Sequence, residues 1–164
     1  MAHAPDQPLV IGLIADTHGQ VRADVHRALA GVDFILHAGD VCGDEVLMEL
    51  ELIAPVSAVY GNCDPFDHPR LVRALERTER GVRIHVSHGH ELGAPTVERL
   101  LAAYDADVIV YGHTHRQLIA KAGGRLVINP GAAGPRRFDL TPSVARLTIS
   151  PAGEVDVEVV DLAF

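Results

Sequence analysis

The sequence contains no tryptophan, and aromatic residues make up only 4% of its 164 positions. Proteins that grip single-stranded nucleic acid stack bases on such rings, so that platform is missing. Positive charge is not in excess either. Fourteen Lys and Arg against 22 Asp and Glu give a formal net charge of -8. Stable nucleic-acid binding through a basic face is therefore disfavoured, although metal ions could supply positive charge locally at an active site. Cysteine is nearly absent. Cys42 and Cys63 form no C-x-x-C, which argues against a disulfide framework and against a zinc knuckle. No apolar run approaches the length of about 18 residues that a membrane span needs. The opening stretch lacks the basic and apolar regions of a signal peptide. Residues 1–8 read as a flexible tail before a single domain over 9–164, and a cytoplasmic, reducing location is the default expectation.

What remains is an ordinary globular mix, 48% hydrophobic and 22% charged, long enough to bury a core without covalent staples. Short apolar runs alternate with helical patterns. Leu9 to Asp16, Val32 to Asp40, Val56 to Asn62, Gly81 to Gly89 and Asp107 to His113 read as strands. Val21 to Ala30, Asp44 to Ala54 and Pro95 to Tyr104 read as helices, the last opening on a first-turn proline. Arg70, Arg73, Arg77 and Arg80 are spaced as one helical stripe, with a solvated face favoured over a phosphate-binding patch. From Arg116 on, the pattern becomes antiparallel, with hairpin signals at Gly123-Gly124 and Ala152-Gly153. The first two-thirds imply an α/β fold with a largely parallel sheet.

Histidine is abundant, with ten in the chain, and its placement is patterned. Several apolar runs end in polar residues beside glycine: Asp16-Thr17-His18, Gly39-Asp40, Gly61-Asn62, His88-Gly89 and Gly112-His113-Thr114-His115. In α/β sheets, ligands sit beyond the carboxyl ends of the strands. If these strands are neighbours, Asp16, His18, Asp40, Asn62, His88, His113 and His115 converge. In extended chain, residues two apart point to one side, so Asp-x-His and His-x-His can each aim two donors at one site. Imidazoles, carboxylates and an amide suit Mn, Fe, Zn, Co or Ni. Seven donors are too many for one ion and divide well over two that share a carboxylate. Paired ions about 3.5–4 Å apart are a usual arrangement for phosphate-ester hydrolysis.

The ordered set of D-x-H (Asp16 to His18), G-D-x-x-x-D (Gly39 to Asp44), G-N-C-D (Gly61 to Asp64), G-H (Gly89-His90, after His88) and G-H-T-H (Gly112 to His115) resembles the calcineurin-like metallophosphoesterases. Within them it is similar to the small phosphodiesterase branch that also contains the retromer small subunit. Asn129 to Arg136 resembles an N-P-G-S element of that branch. The resemblance runs from Leu9 over nearly the whole chain. It implies a four-layer αββα sandwich of two mixed β-sheets flanked by helices. It implies that Asp16, His18 and His115 hold one divalent ion and Asn62, His88 and His113 another, with Asp40 bridging them. A hydroxide between the two would attack phosphorus, Mn²⁺ being the first candidate ion. It also implies a homodimer or homotetramer.

Where the wider superfamily has G-N-H, with that histidine as acid for the leaving oxygen, this chain has Cys63, as its branch tends to. A phenolate leaving group needs little protonation, so activated diesters are the expected substrates. His90 is a second candidate for touching substrate. A non-catalytic scaffold of the same fold is the alternative, as is a phosphomonoesterase or protein phosphatase, but every ligand position here carries a competent donor. His37 is a candidate for orienting a ligand. Arg136 and Arg137 are candidates for clamping a phosphate. Asp44 and Asp64 either orient ligands or cap and turn. His85 is expected to be structural, His3, His26 and His68 to lie on the surface, and Cys42 to be a small buried hydrophobe.

Overall fold

The computed structural model describes residues 4–163. The chain runs through Leu9–Ile14 (β1), Ala23–Ala28 (α1), Phe34–His37 (β2), Asp44–Leu50 (α2), Val56–Val59 (β3), Leu71–Val72 (β4), Ala74–Glu79 (β5) and Val82–Ser87 (β6). It continues through Val97–Ala103 (α3), Val108–Val110 (β7), Leu118–Ala122 (β8), Arg125–Asn129 (β9), Ser143–Ile149 (β10) and Val155–Asp161 (β11). The tail expectation for residues 1–3 and the surface expectation for His3 lie outside the described residues. Residues 4–8 contain a turn in which the Gln7 N–H donates to Ala4 O at 3.1 Å, and Arg80 donates to the same carbonyl at 3.4 Å.

Period-two alternation sorts the side chains into layers. Val108 and Val110 face one side of β7 with Leu126 and Ile128, while Ile109 and Val127 face the other. The first set meets Ile11, Leu13, Leu36, Val59, Leu147 and Ile149 from a second sheet, forming the central core. The opposite set packs under α3 with Leu100. On the far side of the second sheet, Ile35 and Val144 pack with Val25 of α1, with Leu29 just past its end, and with Val46, Leu47 and Leu50 of α2. The result is helix, sheet, sheet, helix. Full burial of a Leu or Ile side chain contributes about 1.5–3 kcal/mol, and such residues are concentrated in these three layers.

One sheet has the order β11-β10-β1-β2-β3-β4 and the other β5-β6-β7-β9-β8. Both are mixed. β1, β2, β3 and β4 pair in parallel, as do β6, β7 and β9. The β5–β6, β8–β9 and β10–β11 pairs are antiparallel. The Gly123-Gly124 hairpin forms as expected, with φ of 57° and 81° at its two glycines, the positive values that a type I′ turn demands.

One element departs from the sequence reading. The Arg70 to Arg80 stretch is extended, in β4 and β5, and not helical. Its burial alternates residue by residue, because β5 is an edge strand half covered by the sheet beneath. Arg70 pairs with Glu51, while Arg77 pairs with Glu79 and lies 4.0 Å over the Phe34 ring. The arginines therefore form no helical stripe, and two of the four are engaged by neighbouring side chains.

Candidate metal centre

The two sheets present their parallel strands so that β1, β2 and β3 of one, and β6 and β7 of the other, end at one rim. Asp16, His18, Asp40 and Asn62 follow the first three; His88, His113 and His115 follow the last two. Backbone bonds tie the ends together. Asp16 N–H donates to Gly39 O at 3.0 Å, His18 N–H to Asp40 O at 3.0 Å, and Gly112 N–H to His88 O at 2.9 Å.

The donors do converge, but by a different backbone device from extended alternation. Asp16 (φ 53°), His18 (45°), Asp40 (56°), Cys42 (63°), His113 (72°) and His115 (63°) are left-handed. They are six of the eight non-glycine residues with positive φ among the described residues. Such conformations cost free energy in L-residues and cluster at functional sites. Each loop alternates a left-handed residue with another type, D-T-H, D-V-C and H-T-H, and in the first this winding brings His18 Nε2 to 3.8 Å from Asp16 Oδ1.

The distances define three overlapping groups, two of them without cysteine. Asp16, His18 and His115 have donor atoms within 4.8 Å of one another, as do Asp16, Asp40 and His88. Asp40 Oδ2 lies 3.5 Å from His18 Nε2 and 3.4 Å from His88 Nε2, between the groups. Asn62 Oδ1 is 3.1 Å from His88 Nε2. The His113 ring meets His88 edge-on, with centroids 5.2 Å apart. Close approach here requires glycine: a Cβ on Gly61 would lie 2.1 Å from Asp40 Oδ1 and 2.5 Å from its backbone nitrogen.

Surrounding groups fix the donors. Asp40 Oδ1 accepts from Cys63 N–H at 2.9 Å, and Asp16 Oδ2 accepts from His113 N–H at 3.1 Å. His88 Nδ1 donates to Ala38 O at 2.8 Å, which turns the Nε2 lone pair inward. His37, fully buried, contacts Thr17 Oγ1 at 3.0 Å and accepts from Gly39 N–H at 3.1 Å. It orients the first loop, in line with its candidate role. Asp64 accepts from the N–H groups of Val41, Cys42 and Gly61 at 2.8–3.0 Å, so it organises two loops at once. Asp44 does not join it; it pairs with His68 at 2.5 Å, so His68 is not a free surface histidine. His26 pairs with Glu49 at 3.0 Å. Cys42 is half-buried, with Sγ 3.7 Å from His18 Nδ1, so it is a neighbour of the site and not a core hydrophobe.

His85 is structural, as its strand parity suggests. It stacks on Tyr104 at 3.7 Å and bridges Glu76 and Ser87. Tyr104 in turn donates to Glu91, which accepts from Gly89 N–H, so this network holds the loop carrying His88 and His90. The network is absent from the sequence reading, and its one legible sign is the pairing of a polar trio on neighbouring strands. His90 sits at the rim, 5.3 Å from the His88 ring, and Cys63 is exposed. Arg136 and Arg137 line a small cavity with His115.

Burial raises the Asp16 carboxyl to about 7, partly offset by His88. Burial also pushes Asp40 up, but the hydrogen bond and charge of His88 outweigh it and hold that carboxyl well below the usual range. His115 is pushed down to about 4, by burial and then by Arg137 and His18. Burial lowers His18, His90 and His113 as well. Burial likewise pushes the Cys42 thiol up to about 12, and it raises Cys63 with help from Asp40. His88 is the exception: burial lowers it, but the Asp40 hydrogen bond and the Asp16 and Asp40 carboxylates outweigh that and raise it. Metal ligation takes the neutral imidazole, so an ion would have to displace the His88 proton.

This donor set fits divalent metal. Asp16 Oδ1 is fully buried with no hydrogen-bond partner among the described residues, and it faces the Nε2 atoms of His18, His88 and His115 at 3.5–3.8 Å. His18 Nε2 and His115 Nε2 lie 3.2 Å apart, where two lone pairs need a proton or a cation between them.

The model of the calcineurin-like phosphoesterase superfamily domain matches residues 9–152. A probable metallophosphoesterase of Methanothermobacter thermautotrophicus is 34% identical over 161 residues, covering 93% of this chain and 92% of that protein. A phosphodiesterase of Methanocaldococcus jannaschii is 27% identical, covering 74% and 82% respectively. Among solved structures, Vps29 of Entamoeba histolytica complexed with zinc superposes with a TM-score of 0.73 at 26% identity, over 93% of this chain and 99% of that one. Among the described residues, no helix is long and apolar enough to cross a membrane.

Proposed function

Because the chain belongs to the calcineurin-like phosphoesterase superfamily, we propose that it is a metal-dependent phosphodiesterase with a dinuclear centre. The observation that carries this is the buried, unpartnered Asp16 Oδ1 ringed by three imidazoles, with Asp40 placed between two donor groups. Asp16, His18 and His115 would hold one ion and Asn62, His88 and His113 the other, with Asp40 shared. Two divalent ions held there, Mn²⁺ first among the candidates, would supply Lewis acidity, offsetting phosphate charge and activating water as the nucleophile.

The protein's own groups do the rest. Ala38 O fixes the His88 tautomer, and the Cys63 N–H fixes the Asp40 carboxylate. Arg137 offers a guanidinium to the phosphate beside His115. Cys63 Sγ–H and His90 stand at the rim, where a leaving oxygen takes up its proton. A thiol is a weak acid for that task, which favours activated diesters over alkyl monoesters. We also infer a homodimer or homotetramer and a reducing, cytoplasmic setting, in which Cys42 and Cys63 stay as free thiols.

The likeness to Vps29 supports a second reading, a binding scaffold of the same fold. Hydrolysis of bis(p-nitrophenyl) phosphate and p-nitrophenyl phosphate by metal-stripped protein decides between them. Mn²⁺-restored cleavage of the diester, weak on the monoester, is expected. No cleavage with Mn²⁺, Ni²⁺, Co²⁺ or Zn²⁺ in folded protein would overturn the enzyme reading.

A further inference from the structure

The donor groups described so far leave one thiol unused as a ligand. Cys63 Sγ, His18 and Asp40 have donor atoms that lie within 4.8 Å of one another. The residue is anchored at its backbone, through its N–H to Asp40 Oδ1 at 2.9 Å. Its side chain is exposed, with a weak contact of 3.8 Å from Asn62 Nδ2 and a hydrogen bond to the Asp40 carboxylate, which already directs the thiol towards the donor group. His18 Nε2 lies 3.5 Å from Asp40 Oδ2 and also faces Asp16 Oδ1, the buried oxygen with no hydrogen-bond partner among the described residues.

We propose that Cys63 is a further metal ligand, giving the ion held by His18 and Asp40 a sulfur donor that favours thiophilic ions over Mn²⁺. The proposal rests on the metal-binding part of the preceding section. Sulfur selects soft and borderline ions, whereas oxygen-rich sets suit Mn²⁺. On ligation the S–H bond is replaced by a sulfur–metal bond and the proton passes to solvent, with no change of oxidation state. One sulfur cannot both ligate and donate a proton. A Zn²⁺ form therefore withdraws the rim thiol from the leaving group, while a Mn²⁺ form leaves it in place. Ion identity, through Cys63, then sets which esters are cleaved.

Cys42 supplies an internal control. It lies 3.7 Å from His18 on the Nδ1 edge, away from the Nε2 that faces Asp16 and Asp40, and it joins none of the donor groups.

The test is Co²⁺ titration of chelator-stripped full-length protein, followed by absorption. Thiolate ligation gives an intense sulfur-to-cobalt charge-transfer band in the near ultraviolet, distinct from the weak visible d–d bands. The band is expected in the wild type and in Cys42→Ser, and lost in Cys63→Ser with the d–d bands retained. Cys63→Ser should also weaken Zn²⁺ binding about tenfold or more, with Mn²⁺ binding changed less than about threefold. A wild type without the band, or a band that survives in Cys63→Ser, would overturn the proposal. Retained d–d bands show that the variant still folds around its ions. The readout needs no substrate, so a charge-transfer band in a protein that fails to cleave diesters would sink the enzyme reading and leave this one standing.

Discussion

Asp16 makes the metal-free protein less stable than its own amide variant, and the effect can be measured. Its carboxyl is fully buried, with Oδ1 lacking a hydrogen bond, and burial raises it from 3.8 to about 7. The folded state thus binds this proton more tightly than the unfolded chain does. Its contribution is fully present below pH 3.8 and is lost as pH rises to about 7. At roughly 1.4 kcal/mol per unit, that loss is on the order of 4 kcal/mol. His37 acts in the opposite sense. Burial lowers it from 6.5 to about 3, so its contribution is full above 6.5 and falls as pH drops towards 3. In the wild type the two slopes oppose each other between about pH 4 and 6.5. Asp16→Asn keeps an acceptor for the His113 N–H and removes the buried charge. Urea unfolding in chelator at pH 8 should find the variant more stable by up to about 4 kcal/mol. Its stability should rise with pH between about 4 and 6.5, because the His37 slope is unmasked. Saturating metal should reverse the order, since the ion binds the native wild type. A variant no more stable than the wild type in chelator, with an unchanged pH profile, would refute the reasoning.

Gly61→Ala places a Cβ against Asp40 Oδ1, and calorimetric titration should find metal binding weakened about 10–100-fold; unchanged binding would show that Asp40 is not a ligand. Cys63→His supplies a better acid at the rim and should raise turnover of unactivated monoesters, general-acid effects being about 10²–10⁴-fold; unchanged rates would remove residue 63 from the proton path. Arg137→Ala deletes a cation beside His115. It should lower kcat/KM for the diester by about tenfold, near the worth of one charge-assisted hydrogen bond; an unaltered value would assign Arg137 to solvent.

The strands that carry the donors were legible because each is a short, mainly apolar and largely buried run that ends in polar residues, most of them beside glycine. Long-range pairing was not, since nothing local says that β10 lies beside β1. β5 was misread because four arginines three or four apart imitate a helix, whereas the half-buried edge strand alternates as Ala-Leu-Glu-Arg-Thr-Glu with little apolar content to reveal its period. The donors were named from residue type and order, yet the left-handed backbone that aims them was invisible, as Asp and His tolerate either sign of φ in loops. Asp64 shows the same limit. Its place in G-N-C-D flagged it, but only the fold reveals that its carboxylate collects amides from two separate loops.

The donors divide between the sheets, Asp16, His18, Asp40 and Asn62 from one and His88, His113 and His115 from the other. The rim is thus a seam, and ions seated in it would rivet the two halves of the sandwich at one end. The central core is the hinge behind that rivet. A methyl group trimmed from Val110 or Leu36, in the central core next to the seam, would let the layers settle closer and retune the spacing of the donors above. Chemistry at the rim and packing in the middle would then be read out together, and a chelator would act on this protein as a mechanical release.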